Sequence, residues 1–290
     1  MSVRAVAPAS TANLGPAFDS AAAALDLWNE LVVEEADGGP HVEIDGEGSA
    51  ELPRDGSHLA LRAFALFAPV DRYRFSFVNR IPLERGLGSS AAAIALGLVA
   101  GSAVAGKSLS PAELLNAGLA LEGHADNLAA ALFGGVCFAW QSNGHVRAAR
   151  VAADLPLSPI LLVPAARTNT ADSRSSLPAT VTHADAAANA GFAALLGAAV
   201  ASGDAGLLAA AFHDRLHEQY RRGTTPLFEL LQSNEPAGAA GLTISGSGPS
   251  VVVWAAHELA AEVAAELKRT LPDNTRVLPL RVAQEGAGLA

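Results

Sequence analysis

Several stretches of the chain alternate apolar and polar residues, and this period of two predicts β-strands. Tyr73, Phe75 and Phe77 are separated by Arg74 and Ser76, a pattern typical of a strand with one buried face. Alternating or short continuous apolar runs predict further strands over residues 2–7, 28–35, 41–44, 135–140, 160–163, 242–245, 251–255 and 276–282.

Longer alanine- and leucine-rich stretches predict helices, because these residues have high helix propensity. One of them has a well-marked start: Ser110 can cap the helix, Pro111 suits the first helical position, and Glu113 completes a capping box. The predicted helices cover residues 59–67, 89–104, 111–122, 186–200, 206–220 and 257–269.

Strands and helices mix in both halves of the chain without strict alternation, which predicts an α+β fold. A turn at residues 154–156 divides the chain into an N-terminal domain, residues 1–154, and a C-terminal domain, residues 155–290. We expect residues 284–290 to form a frayed tail.

Composition narrows the function classes. Half of the 290 residues are hydrophobic and 17% are charged, so a substantial core is expected. The net charge of −10 argues against a nucleic-acid partner, which requires a basic surface. The one cysteine, Cys137, excludes an intrachain disulfide. The N-terminus does not resemble a signal peptide, and glycine or charge interrupts the alanine-rich stretches, so we expect a cytoplasmic protein without a membrane partner.

The glycine- and serine-rich loop of residues 82–90 is the most informative segment. Gly86 and Gly88 allow a close backbone approach to a ligand, and Ser89 and Ser90 open the predicted helix of residues 89–104. A helix start carries unpaired N–H groups and the positive end of the helix dipole, which together suit phosphate. A tight turn before a helix is the plainer alternative, and the full run of small residues favours the phosphate site.

A second segment imitates a nucleotide-binding motif. Residues 101–108 match the P-loop pattern letter for letter. That motif requires a strand before it and a helix that begins at its lysine, whereas here a helix precedes Lys107 and the next helix has its own cap at Ser110. We therefore interpret the segment as a connection between two helices.

Three segments, taken in order, carry a family resemblance. They are Pro8-Ala9-Ser10-Thr11-Ala12-Asn13-Leu14-Gly15-Pro16-Ala17-Phe18-Asp19, the loop of residues 82–90, and Thr243-Ile244-Ser245-Gly246-Ser247-Gly248-Pro249-Ser250. They resemble the three motifs of the GHMP small-molecule kinases, and the first motif together with residues 122–127 resembles the homoserine kinase branch. The resemblance covers almost the whole chain. It implies an N-terminal domain like the second domain of ribosomal protein S5 and a ferredoxin-like C-terminal domain.

The resemblance implies an ATP-dependent transferase that phosphorylates the side-chain hydroxyl of L-homoserine to O-phospho-L-homoserine on the threonine pathway. Mg²⁺ would be held by Ser90 and Glu122, in keeping with its preference for a few hard oxygen ligands. A solvated helix end is the plain alternative for Glu122. The ATP phosphates would be wrapped by Arg85, Gly86, Leu87, Gly88, Ser89, Ser90 and Ala91.

The same resemblance assigns the acceptor pocket. Arg174 and Arg221 would bind the substrate carboxylate, since the guanidinium fork matches a carboxylate in two-point contact. The remaining substrate-binding residues would be Asn13, Asp19, His124, Asp126 and Asn127. Surface solvation is the alternative for any one of them, and it is preferred for Arg222.

Two versions of the chemistry stay open. No lysine precedes Lys107, so the first motif cannot supply the Asp–Lys pair that some GHMP kinases use. We therefore expect direct in-line attack by the substrate hydroxyl, oriented by Asn127 with help from Asp126. Asp126 as a true general base is the competing version.

Several residues depart from the family pattern or have plain alternatives. Ala17 stands where the family has glycine, and it would be strained if that position needed a positive φ. Serine replaces alanine at Ser173 and Ser247, and we expect both to be tolerated. His213 and His217, four apart on a predicted helix, could bind metal, but exposure or capping is the preferred interpretation. Residues 246–248 would either support the nucleotide loop and the site floor or form a structural turn.

Two other functions compete with homoserine phosphorylation. One is a GHMP kinase for another small hydroxylated acid or sugar, and the other is a silent ATP-binding regulatory protein. Arg174 and Arg221 favour a substrate with a carboxylate, and an intact set of Asp19, Ser90 and Glu122 argues against a silent protein. The sequence does not indicate an oligomeric state, and a homodimer is only a working assumption.

Overall fold

The structure, a computed structural model, describes residues 2–168 and 170–290. Its backbone forms two β-sheets with helices packed on them. The strands are β1 (Ser2–Ala12), β2 (Ala21–Glu35), β3 (His41–Gly46), β4 (Tyr73–Asn79), β5 (Val136–Ser142), β6 (His145–Ala152), β7 (Leu157–Val163), β8 (Ala239–Ile244), β9 (Val251–Ala256), β10 (Arg276–Pro279) and β11 (Gly288–Leu289). The helices are α1 (Leu59–Phe64), α2 (Ser89–Val104), α3 (Pro111–Gly118), α4 (Ala125–Phe133), α5 (Thr170–Ser175), α6 (His183–Ser202), α7 (Ala205–Ala211), α8 (Glu218–Arg221), α9 (Pro226–Ser233) and α10 (Ala260–Thr270).

The first sheet has the strand order β11-β1-β2-β4-β3, and β5 and β6 continue it from the first residues of β2. Strand β2 is 15 residues long and pairs with β1 along one edge, while on its other edge the second half pairs with β4 and the first three residues pair with β5. Helix α2 is buried on nearly all sides, as its uniformly apolar sequence requires, and packs against β1 and β2. This burial fixes where the first turn of α2 lies.

The second sheet is antiparallel, in the order β10-β7-β9-β8, and α9 and α10 contact it. Trp254 of β9 is fully buried, and its indole N–H donates to the Thr243 hydroxyl at 2.9 Å. Mixed helices and strands in both halves confirm the predicted α+β class, and the predicted boundary near residue 155 falls between the strands of the two sheets. The division into two domains at that point stays a prediction.

Several predicted elements agree with the structure. The capping box of Ser110 and Glu113 is present at the start of α3, and residues 105–110 connect two helices, as expected for the false P-loop. The predicted strand of residues 28–35 begins earlier, at Ala21. Strand β6 and helices α4, α5 and α9 were not predicted.

The helix predicted over residues 206–220 is wrong in its middle. Helix α7 ends at Ala211, and α8 begins only at Glu218. Between them the Asp214 carboxylate accepts hydrogen bonds from the backbone N–H groups of residues 216, 217 and 218 at 2.7–3.1 Å. Only the last of these N–H groups belongs to α8. The other two lie in the segment before it, which the Asp214 carboxylate holds in a non-helical turn, so the continuous apolar period was misleading.

The frayed tail is also wrong. Gly288 and Leu289 pair with β1, and the N–H of Ala287 donates to the carbonyl of Ala131 in α4 at 2.7 Å. Gly286 lies so close to Leu132 that an added Cβ would be 2.2 Å from its carbonyl oxygen. The last residues therefore belong to the first sheet, although the chain reaches them only after completing the second.

Helix α6 is longer and more apolar than we expected of any stretch of this chain. By length and composition alone it could cross a membrane, and 22% of its apolar window is buried in the structure. Since core helices of soluble proteins can pass the same test, this helix by itself is weak evidence for a membrane span.

Candidate active site

All three motifs meet at one cleft between the two sheets. The described residues lining it come from the end of β1 and the loop after it, the glycine–serine loop with the first turn of α2, the first turn of α4 with the segment before it, and the turn between β8 and β9, together with Thr168, Arg174 of α5 and Arg221 of α8. The cleft is lined by every predicted substrate-binding residue and by every predicted cofactor- or metal-binding residue except Ala91, which is buried in the first turn of α2. Their roles stay predictions.

The glycine–serine loop ends in an open helix start. Gly88 is the N-cap of α2 with φ +64°, and no side chain among the described residues caps this end. A Cβ on Gly88 would lie 2.0 Å from the Ser10 hydroxyl oxygen and 3.0 Å from the Asn127 amide oxygen. Glycine is therefore required here twice, by its left-handed conformation and by the side chains that approach it.

The third motif supports this loop from the other half of the molecule. The hydroxyl of Ser245 donates to the carbonyl of Gly86 at 2.7 Å, and a Cβ on Gly86 would be 2.0 Å from the Ser245 carbonyl. The Arg85 guanidinium donates to the carbonyls of Leu83, Pro164 and Ala165 at 2.7–2.9 Å. Those bonds tie Arg85 to protein carbonyls, so its side chain anchors the loop, while the loop backbone is what lies along the cleft.

Ser90 and Glu122 form an oxygen pair at the mouth of α2. The hydroxyl of Ser90 donates to the Glu122 carboxylate at 3.1 Å. Burial raises the pKa of Glu122, and the hydrogen bond from Ser90 acts in the opposite direction. Among the described residues no cluster of three or more His, Cys, Asp or Glu could hold a metal, so Mg²⁺ at this pair would need phosphate and water as its other ligands.

Asp126 and Asn127 lie in the first turn of α4. Asp126 is buried, and that burial raises its pKa to about 6, while the N–H of Asn127, which donates to the carboxylate at 2.7 Å, lowers it. The hydroxyl of Ser10 donates to the Asn127 side-chain oxygen at 2.7 Å. That bond fixes the Asn127 amide, because its oxygen is occupied and its NH₂ must face the other way.

Arg174 joins two other predicted residues. Its Nη2 donates to both oxygens of Asp19, at 2.8 and 2.9 Å, and to Nε2 of His124 at 2.7 Å. The accepting nitrogen makes His124 the neutral Nδ1–H tautomer, in keeping with burial that lowers its pKa. Asp19 has φ +55°, whereas Ala17 is not among the described residues with positive φ, so the condition under which alanine would be strained at that position is not met.

Arg221 lies deeper and is fixed by protein acceptors. Its Nη1 donates to Nδ1 of His217 at 3.0 Å and to the carbonyl of Gly246 at 2.8 Å. The Asn13 amide donates to the same carbonyl at 3.1 Å, so the Gly246 turn forms part of the floor of the site. The Nε atoms of Arg174 and Arg221 are both buried and have no hydrogen-bond partner within the described residues.

Sequence reasoning did not assign three neighbours of these residues. Ser10 and Phe18 stand inside the first motif, and their positions there were the only signal. His217 was expected to be exposed or to cap a helix, which is wrong: it is fully buried, and its Nε2 donates to the Gly15 carbonyl at 2.8 Å. Arg222 is exposed, as expected. At the other two positions that depart from the family pattern, the Ser173 hydroxyl donates to the Ser247 carbonyl at 2.9 Å.

A more apolar cavity adjoins the other side of the loop. It shares Glu84, Ser89 and Ser90 with the cleft. Its apolar lining is Leu52, Pro53, Leu59, Leu83 and Ala93. An apolar pocket, an open helix start and an arginine-lined pocket thus lie next to one another in space. A kinase for a small anionic acceptor requires such an arrangement.

Comparisons with known proteins agree with this class. The sequence models of the GHMP kinases N terminal domain and C terminal domain match residues 58–135 and 192–273. Homoserine kinase of Streptomyces coelicolor is 43% identical over 91% of this chain and 87% of the relative, and that of Moorella thermoacetica is 41% identical over 85% of each. The crystal structure of homoserine kinase from Cytophaga hutchinsonii superposes with a TM-score of 0.88 at 26% identity, covering 100% of this chain and 97% of the other.

The chain belongs to the homoserine kinase family of the GHMP kinases. The predicted family, fold and enzyme class, an ATP-dependent kinase, are thereby confirmed.

Proposed function

We propose that this protein transfers the γ-phosphoryl group of ATP to the side-chain hydroxyl of L-homoserine, giving O-phospho-L-homoserine for threonine biosynthesis. The observation that carries the proposal is the pair of buried Nε–H donors on Arg174 and Arg221, which have no partner within the described residues and line the same cleft as the open start of α2. Buried donors without acceptors are costly, and a carboxylate would satisfy them. The curated relatives named homoserine kinase support the same acceptor.

The site would hold both substrates in line. The triphosphate would lie on the backbone N–H groups of residues 86–91, with the nucleoside in the apolar cavity on the far side of the loop. Homoserine would place its carboxylate at the two arginines and its ammonium at Asp19. Positioning of this kind supplies most of the catalysis in phosphoryl transfer.

Ser90 and Glu122 would hold Mg²⁺ together with phosphate oxygens. The bound ion would neutralise charge that develops on the transferring phosphoryl group. The fit rests on the chemistry of this donor set, two hard oxygens 3.1 Å apart at the helix start.

In the transfer itself the homoserine hydroxyl oxygen forms a bond to the γ-phosphorus, and the bond from that phosphorus to the β–γ bridging oxygen breaks, so ADP leaves with the electron pair. Asn127 orients the hydroxyl through its amide, which Ser10 holds in place. The proton passes to a phosphoryl oxygen in this version and to Asp126 if that residue is a general base.

A coupled ADP-release assay with a panel of acceptors tests the proposal. We expect turnover with L-homoserine and much lower kcat/KM with mevalonate, simple sugars and other small hydroxy acids. Preferred turnover of another acceptor would replace the substrate. Thermal stabilisation by ATP without turnover of any acceptor would indicate a silent nucleotide-binding protein.

Three further expectations belong to the same proposal. We place the enzyme in the cytoplasm as a soluble biosynthetic kinase without nucleic-acid or membrane partners. Its net charge of −10 supports the expected lack of a nucleic-acid partner. Residues 1–154 and 155–290 would form its two domains. A homodimer stays a working assumption that sedimentation can test.

A further inference from the structure

We infer that Phe18 and His217 are positioning residues for the acceptor arginines, with His217 fixing Arg221 through one particular tautomer. This inference rests on the proposed function, because it concerns how the substrate carboxylate is bound. Neither residue lines the cleft itself, and neither has a role in the transfer proposed above.

The hydrogen bonds of His217 determine its tautomer. The Gly15 carbonyl can only accept, so Nε2, 2.8 Å away, carries the proton. Nδ1 is then unprotonated, and its lone pair accepts a hydrogen bond from Nη1 of Arg221 at 3.0 Å. Because the ring is fully buried, water cannot replace either partner. The imidazole thus links the first-motif turn directly to the guanidinium.

This bond leaves Arg221 with one arrangement. Nη1 has His217 and the Gly246 carbonyl as acceptors, which together set the plane of the guanidinium. Nε–H, with no partner in the described structure, is left on the remaining edge. A fork fixed in advance loses less entropy when it binds a carboxylate, so positioning should affect acceptor binding more than nucleotide binding.

Phe18 provides a shared aromatic face. Its ring stacks on the His217 ring with centroids 5.1 Å apart. The guanidinium carbons of Arg174 and Arg221 lie 5.3 and 5.4 Å from its centroid. Two cations near one ring are attracted by its π-face while they repel each other, so Phe18, together with the Asp19 carboxylate that pairs with Arg174, holds them in place before a substrate carboxylate binds.

Two amide variants separate the roles of the two nitrogens. His217→Asn keeps an acceptor near Nδ1 and loses the donor at Nε2, whereas His217→Gln can keep the donor to Gly15 and loses the acceptor for Arg221. We expect His217→Gln to raise the KM for L-homoserine about tenfold or more with the KM for ATP within about twofold. We expect His217→Asn to keep the KM for L-homoserine within about threefold of the wild-type value.

His213→Gln is the matched control, because this exposed histidine lies four residues earlier, outside the site. It should leave both KM values unchanged. Phe18→Leu should raise the homoserine KM severalfold and leave the ATP KM unchanged. Thermal melting of each variant identifies any that fails to fold, and Phe18→Leu keeps the inference testable if both His217 variants do.

Equal impairment by the Asn and Gln variants, no impairment by either, or parallel changes in both KM values would overturn the inference. Failure of the proposed function is a separate result, since wild type would then not phosphorylate homoserine at all. In that case the same KM comparison is made with whichever carboxylate-bearing acceptor the wild type phosphorylates.

Discussion

At the scale of single residues, Asp126 is the side chain on which the two chemical versions disagree. Its burial raises the pKa to about 6, so the carboxylate is mostly ionised at pH 7 and could accept a proton. Its Oδ1 already accepts from the Asn127 backbone N–H at 2.7 Å, and this contact gives it a simpler role in shaping the first turn of α4.

We expect Asp126→Asn to keep kcat within about threefold of wild type, because asparagine retains an acceptor for that N–H. We expect Asn127→Ala to lower kcat by tenfold or more, since it removes the amide that Ser10 orients. Steady-state kinetics at pH 7 to 8 measure both. A loss of about 10² to 10⁴ in kcat for Asp126→Asn would establish the general-base version instead.

Arg174 tests the acceptor pocket. We expect Arg174→Ala to raise the KM for L-homoserine about 10- to 100-fold, the range for losing a hydrogen-bonded charge, and to leave the ATP KM within about threefold. Arg222→Ala is the control, because this neighbour of Arg221 is exposed. Equal effects on both substrates would remove Arg174 from the acceptor pocket.

Much of the candidate site was accessible from sequence, because the motifs are contiguous and name their own residues. Ser10, Phe18 and His217 were missed for the opposite reason. Ser10 contacts Asn127, 117 positions away, and His217 contacts Gly15, 202 positions away. Nothing local distinguishes a buried histidine in such a contact from an exposed one.

At the scale of elements, helix α2 joins the site to the core. Its body is apolar on all sides and is held by burial, while its first turn remains open towards the cleft. Glycine stands at both ends, Gly88 with φ +64° and Gly106 with φ +67°, and only the first has close neighbours.

We expect Gly88→Ala to abolish most of the activity, because the new Cβ would displace Ser10 and Asn127. Gly106→Ala has the same backbone cost, about 1 kcal/mol, with no atom within 4 Å of the added Cβ, so it should lower the Tm slightly and leave kcat/KM unchanged. Similar activity in both variants would show that the contacts at Gly88 are not needed.

Helix α8 is joined to β8 by a buried acid. Glu218 accepts from the Ile244 N–H at 2.8 Å, and burial raises the pKa of its carboxyl from 4.5 to about 8. Since the pKa of Glu218 is higher in the folded than in the unfolded protein, its protonated carboxyl contributes to the free energy of unfolding. That contribution is complete below pH 4.5 and is lost as the pH rises to about 8.

Glu218→Gln keeps the acceptor for Ile244 and removes the titration. We expect the Tm of wild type to fall more between pH 5 and pH 8.5 than that of the variant, with the largest difference at the alkaline end. Thermal melts across this range measure it. Parallel curves would mean that the carboxyl does not titrate in the folded protein.

Elements were predictable where a local signal exists, as in the capping box of α3. The end of α7 was not, because apolar residues continue in helical spacing to Leu216, and the hydrogen bonds that the Asp214 carboxylate makes to the segment before α8 appear only in the folded structure. The tail failed similarly: glycine and alanine predict little by themselves, and their partners lie in β1 and α4.

At the scale of the whole molecule, the segment of residues 282–289 binds the first sheet after the chain has formed the second. Val282 and Ala283 are buried. Backbone hydrogen bonds join the segment to Ala24, Gly135 and Ala131. The chain therefore passes from the first sheet to the second and then back to the first, and the two halves also share the cleft.

We expect deletion of residues 284–290 to lower the Tm by roughly 5 to 10 °C, because several backbone hydrogen bonds and the packing against α4 are lost together. Leu289→Ser is the control and should have little effect, since this side chain is 62% exposed. An unchanged Tm after the deletion would restore the frayed-tail interpretation.

This late closing strand has a consequence during synthesis. A ribosome that has released residues 1–154 has delivered every other strand of the first sheet, yet β1 still exposes an unpaired edge until Gly288 and Leu289 have emerged. Such edges recruit other chains. The nascent kinase should therefore depend on chaperones until β11 has been synthesised, and a pause shortly before β11 would leave it open to aggregation.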